Sequence, residues 1–274
     1  MNKQNPIGVF DSGIGGLTVV KRLRSFMPSE NIIYFGDTAR VPYGTKSNDT
    51  VIEYSIQNAE FLIRKNVKMI IVACNTASSV ALDELRERFD VPIIGMIEPG
   101  AQLALKKTEN KKIGVIGTTA TVSNKAYSHK LSELDGMVTT LEKACPLFVP
   151  LAEEGWTDHE ATKIIAEEYL EELKDSEIDT LILGCTHYPI LADVIQNVMG
   201  ENVNLIDSGT AAAYLIEDYL HGRNLINDSN LQGECEFYVS DLPNKFKEIA
   251  ERFLGRKLVN VHKIDLEELS GKKE

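Results

Sequence analysis

One run of motifs appears twice in this chain, in the same order, and that repetition restricts the fold more than any other feature. Ile7-Gly8-Val9-Phe10-Asp11-Ser12 is matched by Ile113-Gly114-Val115-Ile116-Gly117-Thr118. Further on, Ile71-Val72-Ala73-Cys74-Asn75-Thr76 is matched by Ile182-Leu183-Gly184-Cys185-Thr186-His187, and Ile97-Glu98 by Ile206-Asp207-Ser208. Three matches in register point to an internal duplication. Within each half, strand-like apolar runs alternate with amphipathic helical stretches, the pattern of parallel sheets covered by helices. The expected fold is therefore α/β, with two similar parallel-sheet domains related by approximate two-fold pseudosymmetry and the active site in the cleft between them.

The first series of strands is expected at 7–10, 32–35, 69–73 and 93–97, and the second at 113–116, 147–149, 180–183 and 203–206. A helix over 50–65 would place Ile52, Ile56, Ala59, Leu62 and Ile63 on one face, and another is expected over 78–89. Thr157-Asp158-His159-Glu160 has capping-box form, opening a helix with Ala161, Ile164, Ile165 and Leu173 toward a core. A helix over 211–220 stopped by Gly222, a strand over 237–240 and a helix bracketed by Pro243 and Gly255 complete the reading.

A chain of 274 residues suits two medium domains. Its 43% hydrophobic and 26% charged residues are those of an ordinary globular protein. No charged head and apolar export segment opens it, and no apolar run nears the roughly 20 residues that span a bilayer. A cytoplasmic protein is expected, with Cys74, Cys145, Cys185 and Cys235 reduced and none in a Cys-x-x-Cys pair. The net charge of -12 disfavours nucleic acid, whose phosphates demand clustered Lys and Arg. An anionic ligand would have to be held by local groups against that field.

The duplication puts one thiol, Cys74 or Cys185, at the C-terminal end of a parallel strand in each half, where open α/β sheets place their ligands. Two halves facing each other would present both sulfurs to one ligand from opposite sides. That geometry suits inversion of a carbon acid, in which one base removes a proton and the conjugate acid opposite returns one. A thiol near pKa 8.5 can be brought toward working pH by a helix N-terminus or a cation, and both cysteines precede an expected helix start.

Asp11-Ser12-Gly13-Ile14-Gly15-Gly16, Pro42-Tyr43-Gly44, Ala73-Cys74-Asn75-Thr76 and Gly184-Cys185-Thr186-His187 together resemble the cofactor-independent aspartate/glutamate racemase superfamily, and within it the glutamate racemases. The likeness covers nearly the whole chain without departure at these positions. It implies interconversion of L- and D-glutamate without pyridoxal phosphate or metal, supplying D-glutamate for the bacterial cell wall. It also implies that Cys74 and Cys185 exchange the roles of proton donor and acceptor, that Asp11 and His187 assist the nearer thiol, and that Glu153 orients His187. The substrate site would be lined by Asp11, Ser12, Tyr43, Gly44, Asn75, Thr76, Thr186 and His187, with Thr118, Thr119 and Thr121 as further carboxylate holders. The family also suggests a first domain of 1–98 plus 209–274, a second of 99–208, and a homodimer.

Plainer readings stand beside these. A buried cysteine is commonly a small core hydrophobe. Asp11 could cap a helix, and Glu153 with Glu154 could be a solvated helix approach. Gly13-Ile14-Gly15-Gly16 is not a dinucleotide loop, because the third glycine of that pattern falls on Thr18; it reads as a tight strand-to-helix turn. His187 with Cys185 lacks the nearby ligands a zinc site needs. His129, His159, His221, His262, Cys145 and Cys235 are read as structural. Two rival functions remain: a sister enzyme acting on aspartate or another carbon acid, and a non-catalytic two-lobed amino-acid-binding protein, which would be expected to carry an export signal or an output domain.

Overall fold

Strand and helix alternate from Ile7 to Leu269 in the computed structural model, which describes residues 2–242 and 246–269. The chain begins β1 (Ile7–Asp11), α1 (Leu17–Phe26), β2 (Ile32–Gly36), α2 (Asn48–Arg64), β3 (Met69–Val72), α3 (Asn75–Val80), α4 (Leu82–Arg88) and β4 (Ile93–Gly95). It continues through α5 (Ile97–Lys107), β5 (Lys112–Gly117), α6 (Thr119–Ser123), α7 (Ala126–Leu134), β6 (Thr139–Ala144), α8 (Phe148–Glu154), α9 (Glu160–Asp175), β7 (Thr180–Gly184), α10 (Ala192–Met199) and β8 (Asn204–Asp207). It ends with α11 (Ser208–Gly222), β9 (Cys235–Val239), α12 (Phe246–Leu254), β10 (Val261–Lys263) and α13 (Leu266–Leu269).

These strands form two parallel sheets, ordered β10-β9-β2-β1-β3-β4 and β6-β5-β7-β8. Four successive strands of the first sheet, β2-β1-β3-β4, match the whole of the second in order and direction, so the repeat seen in the motifs is a repeat of topology. β1 pairs with β2 through Ile7↔Ile32 and with β3 through Ile7↔Met69. β5 likewise sits between β6 and β7. One apolar cluster runs through both lobes, from Val9 and Leu17 through Ala212 and Ile216 of α11 to Leu183 and Tyr188. No helix among the described residues is long and apolar enough to cross a membrane.

Several boundaries differ from the sequence reading. The second strand of the second series is β6, at 139–144, whereas 147–149 enters α8. β6 lies at the sheet edge and contributes only Leu141 as a large apolar residue, so no alternation betrays it. Phe148, Leu151 and Ala152 are buried at helical spacing instead. The helix expected over 78–89 starts earlier and is broken at Ala81 into α3 and α4. The capping residue of α9 is His159, whose Nδ1 accepts the Ala161 N–H at 3.1 Å, and not Thr157. Gly255 ends α12 in the left-handed region, while Pro243 lies outside the described residues.

A buried ion pair ties the lower edge of the first sheet together. Lys68 Nζ donates to Glu30 Oε2 at 2.5 Å and to the carbonyls of Lys3 and Leu225 at 2.8 and 2.9 Å. The Asn227 N–H donates to Glu30 Oε1 at 2.7 Å. Removing one member strands the other charge in a dry site, which costs far more than the pair contributes. Glu30→Ala is therefore expected to lower stability by about 3 kcal/mol, read as a lower urea midpoint at unchanged slope, with Glu30→Gln less affected.

Candidate active site

The strands of both sheets end on one cleft. A cavity of about 190 Å³ there is lined by Ser12, Gly13, Val41, Pro42, Tyr43, Gly44, Thr45, Cys74, Asn75 and Thr76 from the first sheet's side. From the other side come Thr118, Thr119, Pro146, Val149, Pro150, Glu153, Cys185, Thr186 and His187. Both cysteines line this single space, and negative charge on Cys185 raises the cost of charging Cys74.

One close contact between the lobes is made by the turn after β1. A Cβ on Gly15 would stand 2.3 Å from Thr186 Oγ1 and 2.5 Å from His187 Nδ1, so only glycine lets the two loops meet. Thr18 Oγ1 donates across the same junction to the Thr186 carbonyl at 2.8 Å. The residue that breaks the dinucleotide pattern thus fastens one lobe to the other.

Cys74 follows β3 and caps α3, accepting the Ala77 N–H at 3.5 Å. Its sulfur is 3.6 Å from Ser12 Oγ. Burial, reinforced by the negative charge of Asp11, pushes this thiol up to about 12, against the lowering expected at a helix N-terminus. Asp11 is itself fully buried, and desolvation raises its pKa although His187 and backbone N–H groups oppose it. Gly13 N–H donates to Asp11 Oδ2 at 2.9 Å, while Oδ1 has no protein partner.

The second thiol has a different setting. Cys185 follows β7 but is succeeded by a turn and a short 3-10 segment, Tyr188–Leu191, so no α-helix starts there. Its neighbour is an imidazole: Cys185 Sγ lies 3.8 Å from His187 Nδ1, and His187 Nε2 lies 2.9 Å from Glu153 Oε1. Burial alone would make His187 harder to charge, yet Cys185 and Glu153 together raise it to about 10. His187 therefore carries a proton at neutral pH.

Around the thiols, Thr76 Oγ1 meets Thr118 Oγ1 at 2.9 Å and Thr121 Oγ1 at 3.3 Å, a hydroxyl cluster that joins the lobes. Asn75 is held by Tyr127, whose OH donates to Asn75 Oδ1 at 2.7 Å, and by Ser208 Oγ at 3.4 Å. Among the described residues, no lysine or arginine lines the cavity.

Of the residues singled out from sequence, Ser12, Tyr43, Gly44, Cys74, Asn75, Thr76, Thr118, Thr119, Glu153, Cys185, Thr186 and His187 all line this space. Asp11 and Thr121 do not: Asp11 lies beneath the Ser12-Gly13 turn, and Thr121 is buried with its hydroxyl turned to Thr118. Tyr43 lines the wall, but its hydroxyl donates to Asp37 and accepts from Asn58, so it is committed elsewhere. Val41, Pro146, Val149 and Pro150 were missed because apolar wall residues carry no motif, and Tyr127 and Ser208 because only the fold brings them to Asn75.

Paired thiols on one cavity, offered by equivalent strand ends of two pseudosymmetric lobes, define a class of enzyme, the two-lobed racemases. The chain belongs to the Asp/Glu/hydantoin racemase family, whose model matches residues 18–216. It is 48% identical to a glutamate racemase of Geobacter metallireducens over 261 residues, 95% of this chain and 97% of that one. Among solved structures it is similar to the glutamate racemase of Francisella tularensis in complex with D-glutamate (TM-score 0.91, 40% identity, 97% and 99% of the two chains covered). It is also similar to glutamate racemase isoform RacE1 of Bacillus anthracis (TM-score 0.93, 38% identity, 97% and 99% covered).

The close approach at Gly15 yields an expectation. Gly15→Ala should fold, as judged by far-UV circular dichroism, but displace Thr186 and His187 and lower turnover by about tenfold or more.

Proposed function

We propose that this chain is a glutamate racemase that inverts the α-carbon with two cysteines, supplying D-glutamate for peptidoglycan. The observation that carries the reading is the pair of thiols, one from each lobe, lining a single cavity. The chain's similarity to a racemase in complex with D-glutamate supports the choice of substrate.

In this reading the α-carbon lies between the two sulfurs. One sulfur, as thiolate, takes the α-proton; the electron pair left behind spreads into the α-carboxylate; the thiol on the far side then donates its proton to the opposite face. The product is the mirror image, with donor and acceptor exchanged. Burial and the charge of Asp11 favour the protonated form of Cys74, which suits it to the donor's role. When the direction reverses, the same field from Asp11 makes the Cys74 thiolate a stronger base. His187, held charged by Glu153, stands beside Cys185 and stabilises negative charge on that sulfur.

The hydroxyls of Ser12, Thr76, Thr118 and Thr186, the Asn75 amide and backbone N–H groups at the starts of α3 and α6 hold the carboxylates. Hydrogen-bond donors fixed in a buried cleft suffice for an anion without a full cation, so an acidic protein can take an acidic amino acid. Thr119 borders the same space, and Thr121 acts through Thr118. Two thiols account for both proton transfers, so the reaction as proposed calls on no cofactor.

The reading further divides the chain into 1–98 plus 209–274 and 99–208, supported by the packing of α5 against β7 and β8. It includes a homodimer, which follows the family resemblance and is read by sedimentation equilibrium. It places the protein in the cytoplasm, supported by its four unpaired thiols.

Incubated with L-glutamate in deuterated water and no added cofactor, the protein should yield D-glutamate labelled at the α-carbon. Unlabelled L-glutamate recovered unchanged would sink the assignment, and label appearing only with aspartate would transfer it to the sister activity. Cys74→Ala and Cys185→Ala should each lower turnover by about a thousandfold or more; wild-type rates in either variant would remove the two-base mechanism.

A further inference from the structure

Helix α12 follows β9 of the first sheet, yet two of its residues reach the histidine and glutamate of the second lobe. Phe253 is fully buried and sets its ring edge-on against the His187 imidazole, with centroids 5.5 Å apart at 82°. Arg252 Nη1 donates to the main-chain carbonyl of Glu153 at 2.8 Å, while Nη2 pairs with Glu248 at 3.2 Å on its own helix.

Glu153 lies in the last turn of α8, where carbonyls lack partners within the helix. Its side chain is 39% exposed, so nothing about burial keeps the carboxylate on His187 instead of in solvent. The guanidinium supplies what burial does not, fixing the helix end from which the carboxylate extends. The next residue shows how tight this contact is. Gly155 closes α8 at φ +74°, and a Cβ there would stand 2.5 Å from Arg252 Nη1. Glycine suits the left-handed backbone there, and a side chain in its place would have to displace the guanidinium.

We infer that Arg252 and Phe253 are positioning residues for the reaction: α12 clamps the Glu153–His187 pair against Cys185, so the acid-base unit of one lobe is aligned by a helix of the other. The inference rests on the assignment of His187 as the partner of Cys185. Neither residue touches the substrate cavity, and both act through groups that line it.

The charged and titratable groups acting on His187 are Cys185 beyond β7, Glu153 at the end of α8 and Asp11 at the end of β1. Of these, the Glu153 contact is the one α12 controls. Loosening it removes a contribution that raises the imidazole's pKa, so the histidine gives up its proton at lower pH. If catalysis needs the imidazolium, activity is present below its pKa and lost as pH rises through it. The alkaline limb must then move down.

The test compares Arg252→Met, Phe253→Leu and the control Lys247→Met, which removes a charge from α12 at a residue paired with Glu251. His187 is titrated by NMR with labelled histidine, and kcat/KM is followed against pH. Wild type should show His187 titrating near 10. Arg252→Met and Phe253→Leu should lower that value by about one pH unit, shift the alkaline limb by the same amount and reduce kcat/KM about tenfold; Lys247→Met should do none of these. Reduced activity with an unmoved limb and titration, or equal shifts in Lys247→Met, would overturn the inference. Should Phe253→Leu not fold, Arg252→Met decides. A wild-type protein inert toward glutamate would sink the racemase reading alone, because the His187 titration still reports on the clamp.

Discussion

The structure depends on a single close approach, that of the Gly13–Gly16 turn to the Thr186–His187 loop. Two sheets that each end in a thiol make a site only if their ends meet, and bulky side chains at this junction would hold them apart. A glycine at 15 removes the obstacle, and Thr18 replaces it with a hydrogen bond to the Thr186 carbonyl. The hydroxyl cluster of Thr76, Thr118 and Thr121 joins the lobes again across the cleft. Each junction is built from small or short side chains, which bring backbones near one another and leave the space between for ligand.

Within this symmetric frame the two proton-transfer units differ. The first sulfur caps a helix, sits over a buried carboxylate and is held in its neutral form by desolvation. The second follows an irregular turn and has an imidazolium beside it. A reaction whose substrate and product are mirror images does not require mirror-image machinery. It requires one proton available on one face and one acceptor on the other, and the two sulfurs meet that requirement from unequal surroundings.

Much of the fold was readable in the chain because buried parallel strands appear as apolar runs and the duplication supplied a check on each assignment. Cys74 and Cys185 were readable for the same reason. The edge strand β6 was hidden, since an edge needs only one apolar face and Leu141 alone does not make a pattern. The turn after Cys185 was hidden because Cys185-Thr186-His187 takes the place of Cys74-Asn75-Thr76 in the repeat but not its backbone path. Asp11, expected to line the substrate site, lies one layer deeper than the cavity wall, a distinction of depth that adjacency to Ser12 does not encode. Tyr127, Ser208, Arg252 and Phe253 act through partners distant in sequence, and no local signal marks them.

One consequence follows from the order of strands in the first sheet. β9 joins β2, and β10 joins β9, only after every strand of the second sheet has been passed along the chain. On a ribosome the nested unit can collapse while its host is still missing an edge, because every strand of β6-β5-β7-β8 has emerged by Asp207. The host must wait for residues beyond 235 to close its flank and deliver Phe253. Until those residues are in place β2 is an unpaired apolar edge, the kind of border that invites pairing with another chain.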